Sequence, residues 1–142
     1  MGLMRYLGVD PGGRRIGLAV GDDSTGVVSP LEIFAYDGAA AAAQLIADAA
    51  QRLVAGCVVV GLPTLADGST GPAARRSRLL AEHLRTLGVE VVLQSEFLST
   101  DEARRRAREA GRPRGDRVDD LAAQVLLEEY LATHTSATSP RN

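Results

Sequence analysis

The chain has no tryptophan, no lysine and a single cysteine, and aromatic residues fill only 4% of its 142 positions. Each shortage removes a class of function. A lone thiol, Cys57, cannot close an intramolecular disulfide, and its place in the run Cys57-Val58-Val59-Val60 reads as inert core. With so few rings, most of them inside expected strands and helices, stacking on unpaired bases is not indicated as a main mode of binding. His83 and His134 stand apart from each other and from the cysteine, so there is no zinc-ligand spacing. The first reads as a helix-surface residue and the second as part of the tail. No apolar run approaches the length of a membrane span. The N-terminus shows no signal-peptide h-region or cleavage site, which predicts a cytoplasmic protein with no membrane partner.

What is present fits one soluble globular domain with one core: 45% hydrophobic residues, 24% charged residues and a net charge of −2. That balance argues against a generally basic nucleic-acid coat, so distribution matters more than the total. All sixteen basic residues are arginine. Seven fall between Arg104 and Arg117, and Arg75, Arg76 and Arg78 form a second group, so a local basic patch on an acidic protein is expected.

Hydrophobic periodicity and breaker residues predict strands at about 4–10 and 15–21, joined by Pro11-Gly12-Gly13, and a third from Leu31 to Tyr36. Asp37 is expected to cap a helix over about 39–55, with Leu45, Ile46, Ala49 and Leu53 on one face and Gly56 at its end. Cys57 to Val60 reads as a short buried strand, and residues 62–71 as a breaker-rich loop. Pro72 opens a second helix and Gly88 ends it; Val89 to Leu93 is the last strand. A capping box at Ser99 and Glu102 predicts a helix from about Thr100 to Gly111. Asp116 can cap a final helix over about 117–132, with Val118, Leu121, Ala122 and Val125 on its apolar stripe, and residues 133–142 read as a disordered tail. Three consecutive strands suggest an antiparallel meander, while strands separated by helices require parallel crossovers. The fold class is α/β: a five-stranded mixed sheet with helices on both faces.

Three acids stand out by position: Asp10 at the end of the first strand, Glu96 just after the last, and Asp119 in the first turn of the final helix. If the first strand pairs with the fourth, and the fourth with the fifth, their C-terminal ends share one rim. The first and fifth would then be about 9–10 Å apart. Gathered carboxylates raise one another's pKa, and a divalent cation relieves this; all-oxygen ligands suit Mg²⁺ or Mn²⁺. Each acid also has a plainer reading. Asp10 precedes a Pro-Gly-Gly turn, Glu96 suits a solvated loop, and Asp119 suits the positive end of a helix dipole. Asp22, Asp23, Asp67, Asp116 and Asp120 read as turn, cap or surface acids.

At these residues the chain resembles the YqgF/RuvX family of Holliday junction resolvase-like nucleases, which is also linked to maturation of the 5′ end of pre-16S rRNA. The resemblance lies in Gly8-Val9-Asp10-Pro11-Gly12-Gly13-Arg14-Arg15-Ile16-Gly17, in Val60-Gly61-Leu62-Pro63 with Asp67-Gly68-Ser69, in Ser95-Glu96-Phe97-Leu98-Ser99-Thr100, and in Val118-Asp119-Asp120-Leu121-Ala122-Ala123. It implies an RNase H-like fold, a metal-dependent phosphodiester hydrolase, and an acidic cluster at Asp10, Glu96 and Asp119. The family's third block usually reads Asp-Glu-Arg-Leu-Thr-Thr. Ser95 and Phe97 therefore replace an acid and an arginine, while Glu96 remains. The implied partner is structured RNA or branched DNA. Arg14, Arg15, Arg112, Arg114 and Arg117 are the candidates for holding its phosphates, and Arg104 to Arg108 serve equally well as a solvated helix face. A four-way junction would favour a two-fold homodimer, although no heptad or long apolar stripe announces one.

Two rivals remain. An ATPase of the actin or sugar-kinase type also begins strand, Asp, glycines, strand, but needs two lobes that this length cannot supply. A nucleic-acid-binding module weakened in catalysis is the other, suggested by the altered third block.

Overall fold

The apolar run that ends at Asp10 forms the centre of the molecule. The computed structural model describes residues 4–12, 14–65, 71–98 and 118–134. Among them lie β1 (Arg5–Pro11), β2 (Arg15–Asp22), β3 (Val28–Ala35), α1 (Ala39–Arg52), β4 (Ala55–Leu65), α2 (Pro72–Thr86), β5 (Val91–Leu98) and α3 (Val118–His134). The five strands form one sheet in the order β3-β2-β1-β4-β5. β1 pairs antiparallel with β2 and parallel with β4, and β4 pairs parallel with β5. The mixed sheet follows from the connections, since a tight turn joins β1 to β2 while helices make the crossovers into β4 and β5.

Side-chain alternation sorts the sheet into two faces. Leu7, Val9, Ile16, Leu18, Val58 and Val60 pack with Ile46 of α1 and Leu80 and Leu84 of α2. Ala19, Val28 and Val59 pack with Ala123, Leu127 and Leu131 of α3. Helices on both faces of this strand order make an RNase H-like α/β fold.

Several boundaries differ from the sequence-based expectation. β3 starts at Val28 and takes Pro30 inside it. An edge strand tolerates proline, and the β2–β3 register shifts at that point. α1 has Gly38 rather than Asp37 at its N-cap, with no side-chain cap bond, and stops at Arg52. Val54 takes the left-handed conformation there (φ 56°), so Gly56 is left inside β4. Leu45 is exposed, whereas Ile46 and Ala49 are buried.

β4 runs on to Leu65, through residues expected to be loop, because it stays in register with β5 from Val58↔Val91 to Leu65↔Leu98. Pro63 is compatible with this. Val58 donates its N–H towards the β5 side, to Glu90 O, so by alternation the nitrogen of Pro63 faces the β1 side, where pairing has ended at Val60. β5 correspondingly extends to Leu98 and carries Glu96 within the strand rather than after it.

The apolar stripe of the last helix also differs: Ala123, Leu126, Leu127 and Leu131 are buried, while Leu121 and Val125 are 57% and 50% exposed. The helix reaches His134, which stacks on Tyr130 with ring centres 4.2 Å apart instead of belonging to a tail. The expected helix at 100–111, the Asp116 cap and residues 135–142 lie outside the described residues.

Candidate carboxylate site

Asp10 is 2% exposed, although it sits at the end of a strand. Its face is set by Gly8, two residues earlier. A Cβ on Gly8 would stand 2.9 Å from Leu127 Cβ and 3.2 Å from the Ala123 carbonyl, so the Gly8 side of β1 lies against α3. Asp10 shares that side by alternation.

On β4 the same face carries Val59 and then Gly61, where an added Cβ would meet Leu126 Cδ2 at 3.4 Å. On β5 it carries Val92, Gln94 and Glu96. The Glu96 carboxyl bends back over β4: its Oε1 would be 3.3 Å, and its Cδ 3.4 Å, from a Cβ on Gly61. Gly61 follows Val60, the partner of Val9, so it stands level with Asp10. The absent side chain of Gly61 thus leaves the gap into which Glu96 leans, on the strand between the two acids. Asp10 Oδ1 and Glu96 Oε1 are both shut off from solvent.

α3 runs back along β1. Ala123 touches the Gly8 position, and Leu131 touches the Gly21 position, which pairs with Tyr6 near the start of β1. Its N-terminal turn therefore lies at the Asp10 end. Position 119 is one turn before Ala123 on the same stripe, about 6 Å along the axis at 1.5 Å per residue. Asp10 is two residues beyond Gly8, about 6.6 Å at 3.3 Å per residue. Backbone placement thus brings position 119 level with Asp10 and Glu96, while the Asp119 side chain lies outside the described part. Among the described residues no three of His, Cys, Asp and Glu are grouped closely enough to hold a metal. Asp10 and Glu96 supply two carboxylates of such a set, all oxygen donors, which fits a hard divalent ion.

The β1–β2 turn forms the neighbouring wall. Gly12 N–H donates to Arg15 O at 2.8 Å, and Tyr36 N–H to Arg14 O at 2.9 Å. Arg14 is exposed at this turn and Arg15 half-buried. Arg112, Arg114, Arg117 and Arg104 to Arg108 lie outside the described residues, as does Asp67. Asp22 and Asp23 are turn acids, as their sequence context suggests. Asp22 Oδ1 accepts from Ser24 N, Thr25 N and Thr25 Oγ1, and Asp23 Oδ1 accepts from Met4 N.

Two residues of this region were not singled out by sequence reasoning. Gly61 had a usable signal, a glycine continuing an apolar strand run. Arg76 had none that separates it from Arg75 and Arg78, yet it is Arg76 that reaches the turn, donating from Nη2 to Gly12 O at 3.3 Å.

A family model described as "RuvX: Holliday junction resolvase" matches residues 4–133. A protein of Anaeromyxobacter sp. (strain Fw109-5), provisionally named a pre-16S rRNA nuclease, is 45% identical over 132 residues, covering 90% of this chain and 96% of the relative. One of Opitutus terrae with the same provisional name is 41% identical over 135 residues, covering 90% and 91%. Among solved structures, Thermus thermophilus RuvC in complex with a Holliday junction substrate superposes with a TM-score of 0.56 at 14% identity, covering 97% of this chain and 99% of that one. Fowlpox virus resolvase with Holliday junction DNA gives 0.54 at 14% identity, covering 92% and 98%. At such identity these structures speak for the fold.

Proposed function

From the premise that the chain belongs to the RuvX family, whose members are nucleic-acid-cleaving enzymes, we propose that it hydrolyses phosphodiester bonds at the Asp10 rim, with pre-16S rRNA as the preferred substrate and branched DNA as the alternative. The rRNA preference rests on relatives of 45% and 41% identity named for it, and the branched-DNA alternative on the family model's description as a Holliday junction resolvase. The observation that carries the reading is the lean of the Glu96 carboxyl across Gly61 towards the level of Asp10, on the face that α3 covers.

Asp10, Glu96 and Asp119 would hold Mg²⁺ or Mn²⁺. Bound there, such ions supply a water of lowered pKa and stabilise the leaving oxygen, with two ions suiting in-line displacement. The chain's own groups orient and bind. The rigid strands fix Asp10 and Glu96, while Arg14 and Arg15 beside them, with Arg112, Arg114 and Arg117, hold backbone phosphates. Binding led by phosphate contacts weakens steeply with salt. No described helix is long and apolar enough to cross a membrane. The buried free thiol of Cys57 suits the cytoplasm as the place of action.

The test is the purified chain with Mn²⁺ or Mg²⁺ against a pre-16S rRNA fragment and a four-way DNA junction, with EDTA and Asp10→Ala as controls. Cleavage is expected in either metal, lost in EDTA, and reduced more than about 100-fold by the substitution. An Asp10→Ala protein that folds and cleaves at the wild-type rate removes the site assignment. Binding without cleavage by the wild type would make the chain a binding module, the reading suggested by Ser95 and Phe97 where the family usually has an acid and an arginine.

A further inference from the structure

Arg76 belongs to α2, on the sheet face opposite the acids, yet its side chain reaches the rim. Nη2 donates to the carbonyl of Gly12, two residues after Asp10, at 3.3 Å. The guanidinium stands 5.8 Å from the centre of the Tyr36 ring. The β1–β2 turn is also tied across its own mouth, Gly12 N–H to Arg15 O, and to the end of β3, Tyr36 N–H to Arg14 O. Those two ties lie within the sheet; the Arg76 tie comes from another layer.

Arg76 is half-buried in this setting. Arg76 Nε is buried and has no hydrogen-bond acceptor among the described residues. The described contacts of the guanidinium are a carbonyl and a ring, neither of them a carboxylate. An apolar side chain of similar length could fill the space of its stem. What an apolar chain lacks is a planar fork that lies against an aromatic face while aiming a donor at a carbonyl.

We infer that Arg76 is a positioning residue, bracing the β1–β2 turn from the far face of the sheet and so fixing where Asp10 and Arg14 stand. Its effect on cleavage rests on the nuclease reading above; the brace itself does not. Arg76→Met keeps the apolar stem and removes the donors, and Arg76→Lys keeps a donor and the charge. Amide hydrogen exchange at Gly12 and Tyr36 reads the brace directly, and kcat and KM read its consequence.

For Arg76→Met the expected result is exchange at both amides faster by about tenfold or more. Its kcat should fall by about tenfold or more with KM little changed. Arg76→Lys should recover much of both. Exchange unchanged at Gly12 and Tyr36 in Arg76→Met overturns the inference, whether or not the protein cleaves. So does a raised KM with kcat intact and a flatter salt dependence, which would make Arg76 a phosphate contact. Faster exchange in Arg76→Met beside a wild type that cleaves nothing would keep the brace and sink the nuclease reading.

Discussion

A single missing methyl group shapes the space between the two strand carboxylates. Gly61 is in mid-strand, where a glycine weakens pairing, and what its bareness provides is room for Glu96. A Cβ there would be 3.3 Å from Oε1 and 3.4 Å from Cδ, tighter than ordinary contact but short of a clash. Gly61→Ala should therefore fold and keep nearly all its stability, while Glu96 moves by a few tenths of an ångström. On the proposed function Glu96 holds the metal, and displacing it by so little matters because the productive geometry is narrow, so kcat should fall about tenfold. The check is kcat, together with the Mn²⁺ concentration giving half-maximal rate, which should rise. A variant with both values unchanged would mean that the position of Glu96 is not what limits the reaction. Leu126, whose Cδ2 also lies 3.4 Å from that Cβ, is on the outer side of the same contact and can yield by changing rotamer.

At the scale of elements, the site depends on how closely α3 lies on β1. Gly8→Ala tests this. The new Cβ would be 2.9 Å from Leu127 Cβ and 3.2 Å from the Ala123 carbonyl, neither of which is the tip of a flexible chain. Trimming Leu127 to alanine would leave its Cβ in place, so the helix itself has to move. Urea unfolding should show a loss of about 1–3 kcal/mol, the usual range for overpacking a core. Cleavage should fall as well, because the turn carrying Asp119 shifts with the helix. Wild-type stability in Gly8→Ala would show that α3 is held less tightly than its packing implies. The same contacts explain what could be read in advance. Among the described residues, element types and order follow from periodicity and breakers. Of the three candidate acids, Asp10 is picked out by the end of an apolar run, Glu96 by its place beside the last strand, and Asp119 by the first turn of a helix. Pairing partners extend strands beyond what local composition suggests: Leu62-Pro63-Thr64 has the residues of a loop and becomes strand because β5 lies alongside it. That extension is also why Glu96 is a strand residue. The stripe of α3 differs from the expected one because Leu121 and Val125 are apolar and yet exposed, and helical periodicity alone does not say which apolar stripe meets the sheet.

Across the whole molecule, the two ends of β1 differ in chemistry. The Asp10 end has the Asp10 and Glu96 carboxylates on one face of the sheet. The Tyr6 end gathers groups that hold their protons: Tyr6 pairs in register with Cys57, and its ring lies 5.7 Å from that of Tyr130 on α3. Burial, and then the Glu90 charge, push the Cys57 thiol up to about 11. Burial likewise raises Tyr6 and Tyr130, with smaller contributions from neighbouring charges. Groups with raised folded pKa values stabilise the fold below their ordinary values, 9.0 for the thiol and 10.0 for the phenols, and withdraw that support as pH rises beyond them. Between these values and the folded ones the unfolded chain binds fewer protons than the native one, so the slope of stability against pH is negative. The melting temperature should accordingly hold its level up to about pH 9 and fall progressively towards pH 11. In Cys57→Val, which removes the thiol and keeps an apolar group in the core, the fall should start nearer pH 10, where the tyrosines alone remain to titrate. Native Cys57 should react with a thiol reagent at pH 8 only as fast as the protein opens, being both buried and protonated. A melting temperature that stays flat to pH 11, or a thiol that reacts at once in the folded protein, would mean that this end of the sheet is open to water and that the contrast between the two ends does not exist.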